Sequence, residues 1–372
     1  MKKTLSLLLV ALLVLSLAPA LLSCSKAVVD VEDLKGTYTR DLAGTTLNVY
    51  NWAEYISEGA EGSLYVEKAF EKLTGIKVNY TTYESNEVMY SKLKSGSVTY
   101  DVIIPSDYMI ERLISEGMLL SFDPAKELSN YSYIDAQYKD LYFDPENKYS
   151  VPYNVGMVGL IYNTKEVKEA PTSWAALWDE TYKGEILMFN NSRDSFGIAQ
   201  ALVGVDFNST DKADWDKAAE KLTEQKPLLQ GYVMDEVFNK MEDGNAILAP
   251  YYAGDFLTMQ EINPDLGFVY PKEGVNIFVD SMCIPANTRN AEAAKMFINF
   301  MLEPEVALAN AETICYASPN TGVTGNPDYS LAGNEYLYPE DLSSIKADYF
   351  KDLDPTIRKY YEDLWVKITT GD

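Results

Sequence analysis

The sequence predicts an α/β protein built as two lobes. Short apolar runs of strand length alternate with segments of helical period, and this alternation occurs twice, on either side of Tyr149-Ser150-Val151-Pro152-Tyr153. The chain has 372 residues, 47% hydrophobic and 23% charged, an ordinary globular composition with material for two cores.

The first series begins with Thr46 to Tyr50, which reads as a buried strand. Val66, Ala69, Phe70 and Leu73 follow at i, i+3, i+4, i+7, the spacing of one helix face, and Gly75 is placed to stop that helix. Ile76 to Tyr80 is a second strand, and a helix from about Glu87 to Lys94 ends at Gly96. Asp101 to Pro105 is a third strand, leading into a helix that carries Ile110, Leu113 and Ile114. The second series has a strand at Val158 to Tyr162, a helix opened by Ser173 as N-cap, a strand at Glu185 to Phe189 and a helix from Ser195. Trp215, Ala218, Ala219 and Leu222 mark another helix face, and a further helix runs through Val237 and Met241. Strands at Ala246 to Pro250, Phe268 to Tyr270 and Ile277 to Ile284 complete the series, and Ile357, Tyr361, Leu364 and Ile368 form the apolar face of a closing helix. There is no internal repeat and no Gly-rich phosphate loop.

The first residues read as an address. Lys2 and Lys3 precede an apolar run from Leu5 to Leu22 that ends in Leu21-Leu22-Ser23-Cys24. This resembles a bacterial lipoprotein signal, which implies removal of residues 1–23, lipidation of Cys24 and an exported protein; a transmembrane anchor of minimum length is the alternative. Residues 24–44 then serve as a charged tether, about 25 Å long as a flexible coil. Cys283 and Cys315 could pair in an oxidising compartment or stay as buried thiols.

Charge narrows the function. With 31 Lys plus Arg against 56 Asp plus Glu the net charge is −25. Such a chain repels nucleic acid and anionic lipid and favours cationic partners. There is no His, which excludes Ser-His-Asp triads, Cys-His dyads and His-ligated zinc. Any catalysis would rest on carboxylates, Lys or Tyr.

Six blocks occur in order: Tyr50-Asn51-Trp52-Ala53-Glu54-Tyr55, Tyr83-Glu84-Ser85-Asn86-Glu87, Asp101-Val102-Ile103-Ile104-Pro105-Ser106, Tyr149 to Tyr153, Tyr270-Pro271-Lys272-Glu273-Gly274, and Asp280-Ser281 with Ile284-Pro285-Ala286-Asn287. In order and spacing they resemble the spermidine/putrescine-binding proteins of bacterial polyamine ABC transporters, over about residues 45–370. The resemblance implies a type II-like periplasmic-binding-protein fold with the ligand in the interlobe cleft, lobe 1 from 45–155 with 281–347 and lobe 2 from 156–280 with 348–372. It also implies a monomer that hands its ligand to permease subunits, without cofactor, metal, nucleic acid or enzymatic activity. It carries ligand-binding roles onto Trp52, Glu54, Tyr55, Ser106, Tyr108, Asn191, Asp194, Tyr252, Asp255, Phe278, Asp280 and Tyr316. Asn191 stands where spermidine binders carry Asp, and Asp255 looks like the putrescine-type members, so both polyamines stay open.

The chemistry of these residues agrees. Carboxylates match ammonium groups and aromatic walls match the methylenes between them, with cation-π contact over the same rings. Most of these residues follow strand ends, where open α/β sheets bind ligands. A binding lipoprotein for a sugar, peptide or metal shares the same features, and a carboxylate-dependent hydrolase is a more distant alternative. With acids near pKa 4 and amines near 10, binding is expected to be flat from about pH 6 to 8.

Overall fold

The computed structural model describes residues 30–371. The first half of its sheet is β1 (Thr46–Trp52), β2 (Lys77–Tyr83) and β3 (Val102–Ile103), parallel to one another, with α1 (Val66–Thr74), α2 (Asn86–Ser95) and α3 (Asp107–Ser115) between and after them. The helices start and stop where the sequence places them. Gly75 and Gly96 close α1 and α2 in the left-handed conformation, and the Ser85 side chain caps α2 by accepting from the Val88 amide.

After the short α4 (Pro124–Glu127), β4 (Ser150–Asn163) runs for 14 residues as one strand buried nearly throughout. The expected strand covered only its second half. Pro152 is accommodated because the register against the partner strand shifts between Pro152 and Asn154, an irregularity that removes the need for a ladder amide. The second half of the sheet contains β5 (Ile186–Phe189), β6 (Leu229–Val233), β7 (Leu248–Tyr252) and β8 (Leu266–Val269), with α5 (Ser192–Val203), α6 (Lys212–Gln225), α7 (Glu236–Glu242) and α8 (Ala253–Ile262). β9 (Val275–Cys283) returns antiparallel to β4 and also pairs with β3, so β4 and β9 join the two halves. The strand order is β2-β1-β3-β9-β4-β7-β5-β6, with β8 on β4. The chain ends with α9 (Ala291–Met301), α10 (Pro304–Ile314), α11 (Thr321–Thr324), α12 (Leu342–Ile345), the two-residue β10 (Ala347–Asp348) on β9, and α13 (Pro355–Thr370).

Three expectations are corrected. The helix opened by Ser173 is instead two 3-10 turns, Trp174–Trp178 and Glu180–Tyr182. Asp179 ends the first turn and caps the second, while the Trp174 indole is committed to the Gly274 carbonyl at 2.9 Å. The following helix starts at Ser192, not Ser195, because the Asn191 side chain caps it by accepting from the Asp194 amide. Residues 31–42, expected as tether, pack against the body: Val31, Leu34, Tyr38 and Leu42 lie on the core. The buried Glu303 carboxylate accepts from the Gly36 amide (2.8 Å) and from the Tyr38 hydroxyl. The proposed signal and Cys24 lie outside the described residues. Cys283 and Cys315 are buried thiols, each directed at a nearby backbone carbonyl.

Candidate functional site

The carboxyl ends of the parallel strands and the middle of β9 enclose a cleft of about 910 Å³, counted with the open space at its mouth. All twelve residues singled out from the sequence contribute to its wall. Trp52 ends β1, and Glu54 follows it with φ +52°, a left-handed conformation that a non-glycine residue adopts at a cost. Trp52 packs on Tyr83 with ring centres 4.6 Å apart, its indole bonded to the Ile104 carbonyl at 2.9 Å. Ser106 is the N-cap residue of α3, and Tyr108 lies in that helix's first turn. Asn191 and Asp194 open α5, while Tyr252 and Asp255 open α8. Phe278 and Asp280 point from β9, and Tyr316 follows Cys315, whose left-handed φ of +62° turns the chain at the end of α10.

Three aspartates share one arrangement. Tyr55 donates to Asp280 Oδ2 at 2.6 Å, Tyr252 to Asp194 Oδ2 at 2.9 Å, and Tyr316 to Asp255 Oδ2 at 2.9 Å. A phenol satisfies one carboxyl oxygen without supplying a positive charge, so none of the three acids is neutralised by a cation of the protein. Asp280 Oδ1 is buried without a hydrogen-bond partner, and none of the three forms an ion pair among the described residues. The aromatic rings are contiguous: Tyr316 lies 5.4 Å from Tyr55 and 6.3 Å from Phe278, and Phe278 lies 5.4 Å from Tyr252. Apolar faces and isolated acids thus alternate along the wall.

Burial dominates the electrostatics. Desolvation pushes the Asp255 carboxyl up to about 8, against the pull of the Tyr316 hydrogen bond and with Asp235 and Glu54 adding repulsion. Desolvation also raises Asp194 to about 6, opposed by the Asn191 and Tyr252 hydrogen bonds, and Asp280 to about 6, opposed by Tyr55. Asp107, fully buried in the wall, is raised well above the carboxylate range by burial, although its oxygens accept from the Tyr108 amide at 2.7 Å and the Val279 amide at 3.3 Å. With these acids raised, binding is expected to strengthen between pH 6 and 8 instead of staying flat. The flat expectation assumed acids near pKa 4 and left out the cost of ionising them in an enclosed cleft.

Several wall residues carried no assignment from the sequence. Glu84 and Glu87 sit inside a block that was recognised, but no role was attached to them. Met234 and Asp235 enter from the turn between β6 and α7, and Phe238 from the first turn of α7. β6, Leu229-Gln230-Gly231-Tyr232-Val233, lacks the apolar run of a strand, and so the residues after its end went unnoticed. Arg193 and Phe350 also line the cleft. The wall holds eight carboxylates, from Glu54, Glu84, Glu87, Asp107, Asp194, Asp235, Asp255 and Asp280, against the one guanidinium of Arg193. No cluster of three or more potential metal ligands occurs among the described residues.

The comparisons with known proteins extend over nearly all of this architecture. A family of bacterial extracellular solute-binding proteins matches residues 66–334. The spermidine/putrescine-binding periplasmic proteins of Salmonella typhimurium and Escherichia coli are each 35% identical over 328 residues, covering 88% of this chain and 92% of theirs. The putrescine-binding periplasmic protein PotF of Escherichia coli is 29% identical over 346 residues. Among solved structures, the spermidine/putrescine ABC transporter substrate-binding protein PotD of Streptococcus pneumoniae superposes with a TM-score of 0.72 at 33% identity, covering 88% of this chain and 99% of that one. A chain from Listeria monocytogenes reaches a TM-score of 0.82 at 36% identity. The two-part α/β fold and these matches place the chain in the bacterial extracellular solute-binding protein family.

Proposed function

We propose that this protein binds an organic polycation, spermidine or putrescine, in the cleft and delivers it to an ABC transporter. The observation that carries the reading is the set of three tyrosine-bonded aspartates set into an aromatic wall, each without a cation in contact. A polyamine presents ammonium groups at intervals along methylenes and so complements that pattern. The relatives that cover most of the chain are named for the same ligands. The twelve residues predicted from the sequence are the ligand-contacting set, and binding rather than catalysis is the task of the cleft acids.

In this reading 45–155 with 281–347 forms lobe 1 and 156–280 with 348–372 forms lobe 2. Closure turns on β4 and β9 near Asn154 to Gly156 and Ser281 to Ile284, beside the register shift. The protein works as an exported monomer, held by a lipid on Cys24. A thermal-shift panel of putrescine, cadaverine, spermidine, spermine, sugars and amino acids tests the function. Stabilisation confined to the amines is expected; stabilisation by sugars or amino acids and by no amine would overturn it. Cys24→Ser tests the anchor: the variant should lose lipid labelling, and an unchanged labelled band would remove the lipoprotein assignment.

A further inference from the structure

The cleft wall carries one cation among its acids. Asp255 lies in the field of Asp235 and Glu54, and Asp280 in that of Asp194. The cation is Arg193, 2% exposed, in the part of the wall that the cleft shares with a smaller cavity. Its guanidinium donates to the Phe207 carbonyl at 3.0 Å and to Asn208 Oδ1 at 2.9 Å, both neutral acceptors. Among the described residues no carboxylate lies within ion-pair distance of it. The guanidinium carbon is 4.1 Å from the Phe350 ring centre and 6.0 Å from that of Tyr108. A buried charge without a contacting counterion acts at longer range in a poorly screened interior, and the acids that feel Arg193 are Asp107 and Asp194.

Space does not end at Arg193. A small cavity of about 240 Å³ shares Glu87, Tyr108 and Arg193 with the cleft and continues to Arg112, Lys351 and Arg358. There Arg112 is bonded to Glu116 at 3.1 Å and Arg358 to Asp352, while Glu87 accepts from the Tyr108 hydroxyl at 2.9 Å and has no cationic partner among the described residues. The enclosed space past Tyr108 holds no more than about a water molecule, and Arg112, Arg193, Lys351 and Arg358 outnumber Glu87 and Asp352 in its wall, so it offers no run of acids like that of the main cleft.

We propose that Arg193 is a specificity-determining residue: its guanidinium is an electrostatic stop that ends the ammonium-accepting part of the cleft and restricts it to linear di- and triamines. The proposal rests on the polyamine reading above. A tetraamine carries one more ammonium, and seating it drives that group toward the guanidinium. This is discrimination by a repulsive element rather than by a further attractive contact.

Calorimetric titration of the whole protein and of Arg193→Gln with putrescine, spermidine and spermine tests it. The wild type should bind spermine at least tenfold more weakly than spermidine, and Arg193→Gln, which keeps amide donors at that position, should narrow the ratio at least fivefold. A folded Arg193→Gln with an unchanged ratio would overturn the proposal. Should the variant not fold, the wild type is titrated with a spermine analogue in which a hydroxyl replaces one terminal ammonium. The analogue should bind more tightly than spermine, and weaker binding would overturn the stop. Wild-type protein that binds no amine at all would remove the polyamine reading itself, a result distinct from binding with the wrong ratio.

Discussion

Asp280 lies in the middle of β9, a strand buried throughout, with one oxygen held by Tyr55 and the other unpartnered. Desolvating a carboxylate there costs free energy that a bound ammonium recovers. Asp280→Asn keeps the shape and removes the charge, and loss of one member of a buried charge pair costs about 2 to 5 kcal/mol. Polyamine affinity should therefore fall about 30-fold or more by calorimetry. Glu220, exposed on α6, is the contrasting acid, and Glu220→Gln should change affinity by less than about 0.5 kcal/mol. Asp255 makes a second prediction. With its carboxyl pushed up to about 8 in the empty cleft, it is largely protonated at pH 7, and an arriving cation favours the carboxylate. Binding at pH 7 should release protons, read as a dependence of the calorimetric heat on the buffer's ionisation enthalpy. The release should shrink in Asp255→Asn; identical heats in all buffers would contradict it. Which acids would be paired with phenols could not be read from the sequence: Tyr55, Tyr252 and Tyr316 are three of 28 tyrosines, and their partners lie 225, 58 and 61 residues away.

The elements bring these residues together by close approach of backbone to ring. A Cβ on Gly156 of β4 would lie 2.3 Å from Phe278 Cζ and 2.9 Å from Tyr316 Cε1, and one on Gly254 of α8 would lie 2.1 Å from Tyr316 Cδ2. Both glycines let the aromatic floor sit directly on the main chain. Gly156→Ala must displace the rings, and overpacking of this kind typically costs about 1 to 3 kcal/mol. A lower melting temperature and weaker amine binding are expected, whereas Gly231→Ala on β6, with nothing within 4 Å, should leave binding unchanged. An equal effect of the two substitutions would contradict the packing argument. At this scale much of the fold was legible, because β1, β2 and β3 and the helices between them carry clean periods with glycine stops. α10 was missed because it is buried around most of its circumference instead of along one stripe, whereas α9, also missed, does show a single face of Ala293, Ala294, Phe297, Ile298 and Met301. β6 was missed for the opposite reason: it is only partly buried and contains Gln230 and Gly231.

Across the whole molecule, the raised acids tie stability to ligand and pH. Asp194 and Asp280 near 6 and Asp255 near 8 sit above the unfolded carboxyl value of about 4. Their contribution to the stability of the empty protein is thus fully present below about pH 4 and is lost as pH rises through 6 and then 8. A bound polycation offsets that loss, so the melting-temperature increase given by spermidine should be larger at pH 8 than at pH 5.5; a smaller increase at pH 8 would contradict this assignment of the acids. The lobe organisation was visible in the double strand-helix series. The gathering of cations beside the cleft was not, because Arg193, Lys351 and Arg358 meet only after α5 and α13 are packed. The central claim, capture of an organic polycation, is tested most directly by calorimetric titration of the wild-type protein with spermidine and putrescine at pH 8. Saturable one-to-one binding of at least one of them is predicted, weakened but not abolished by added salt. Absence of binding by both, in protein that melts cooperatively, would contradict the account.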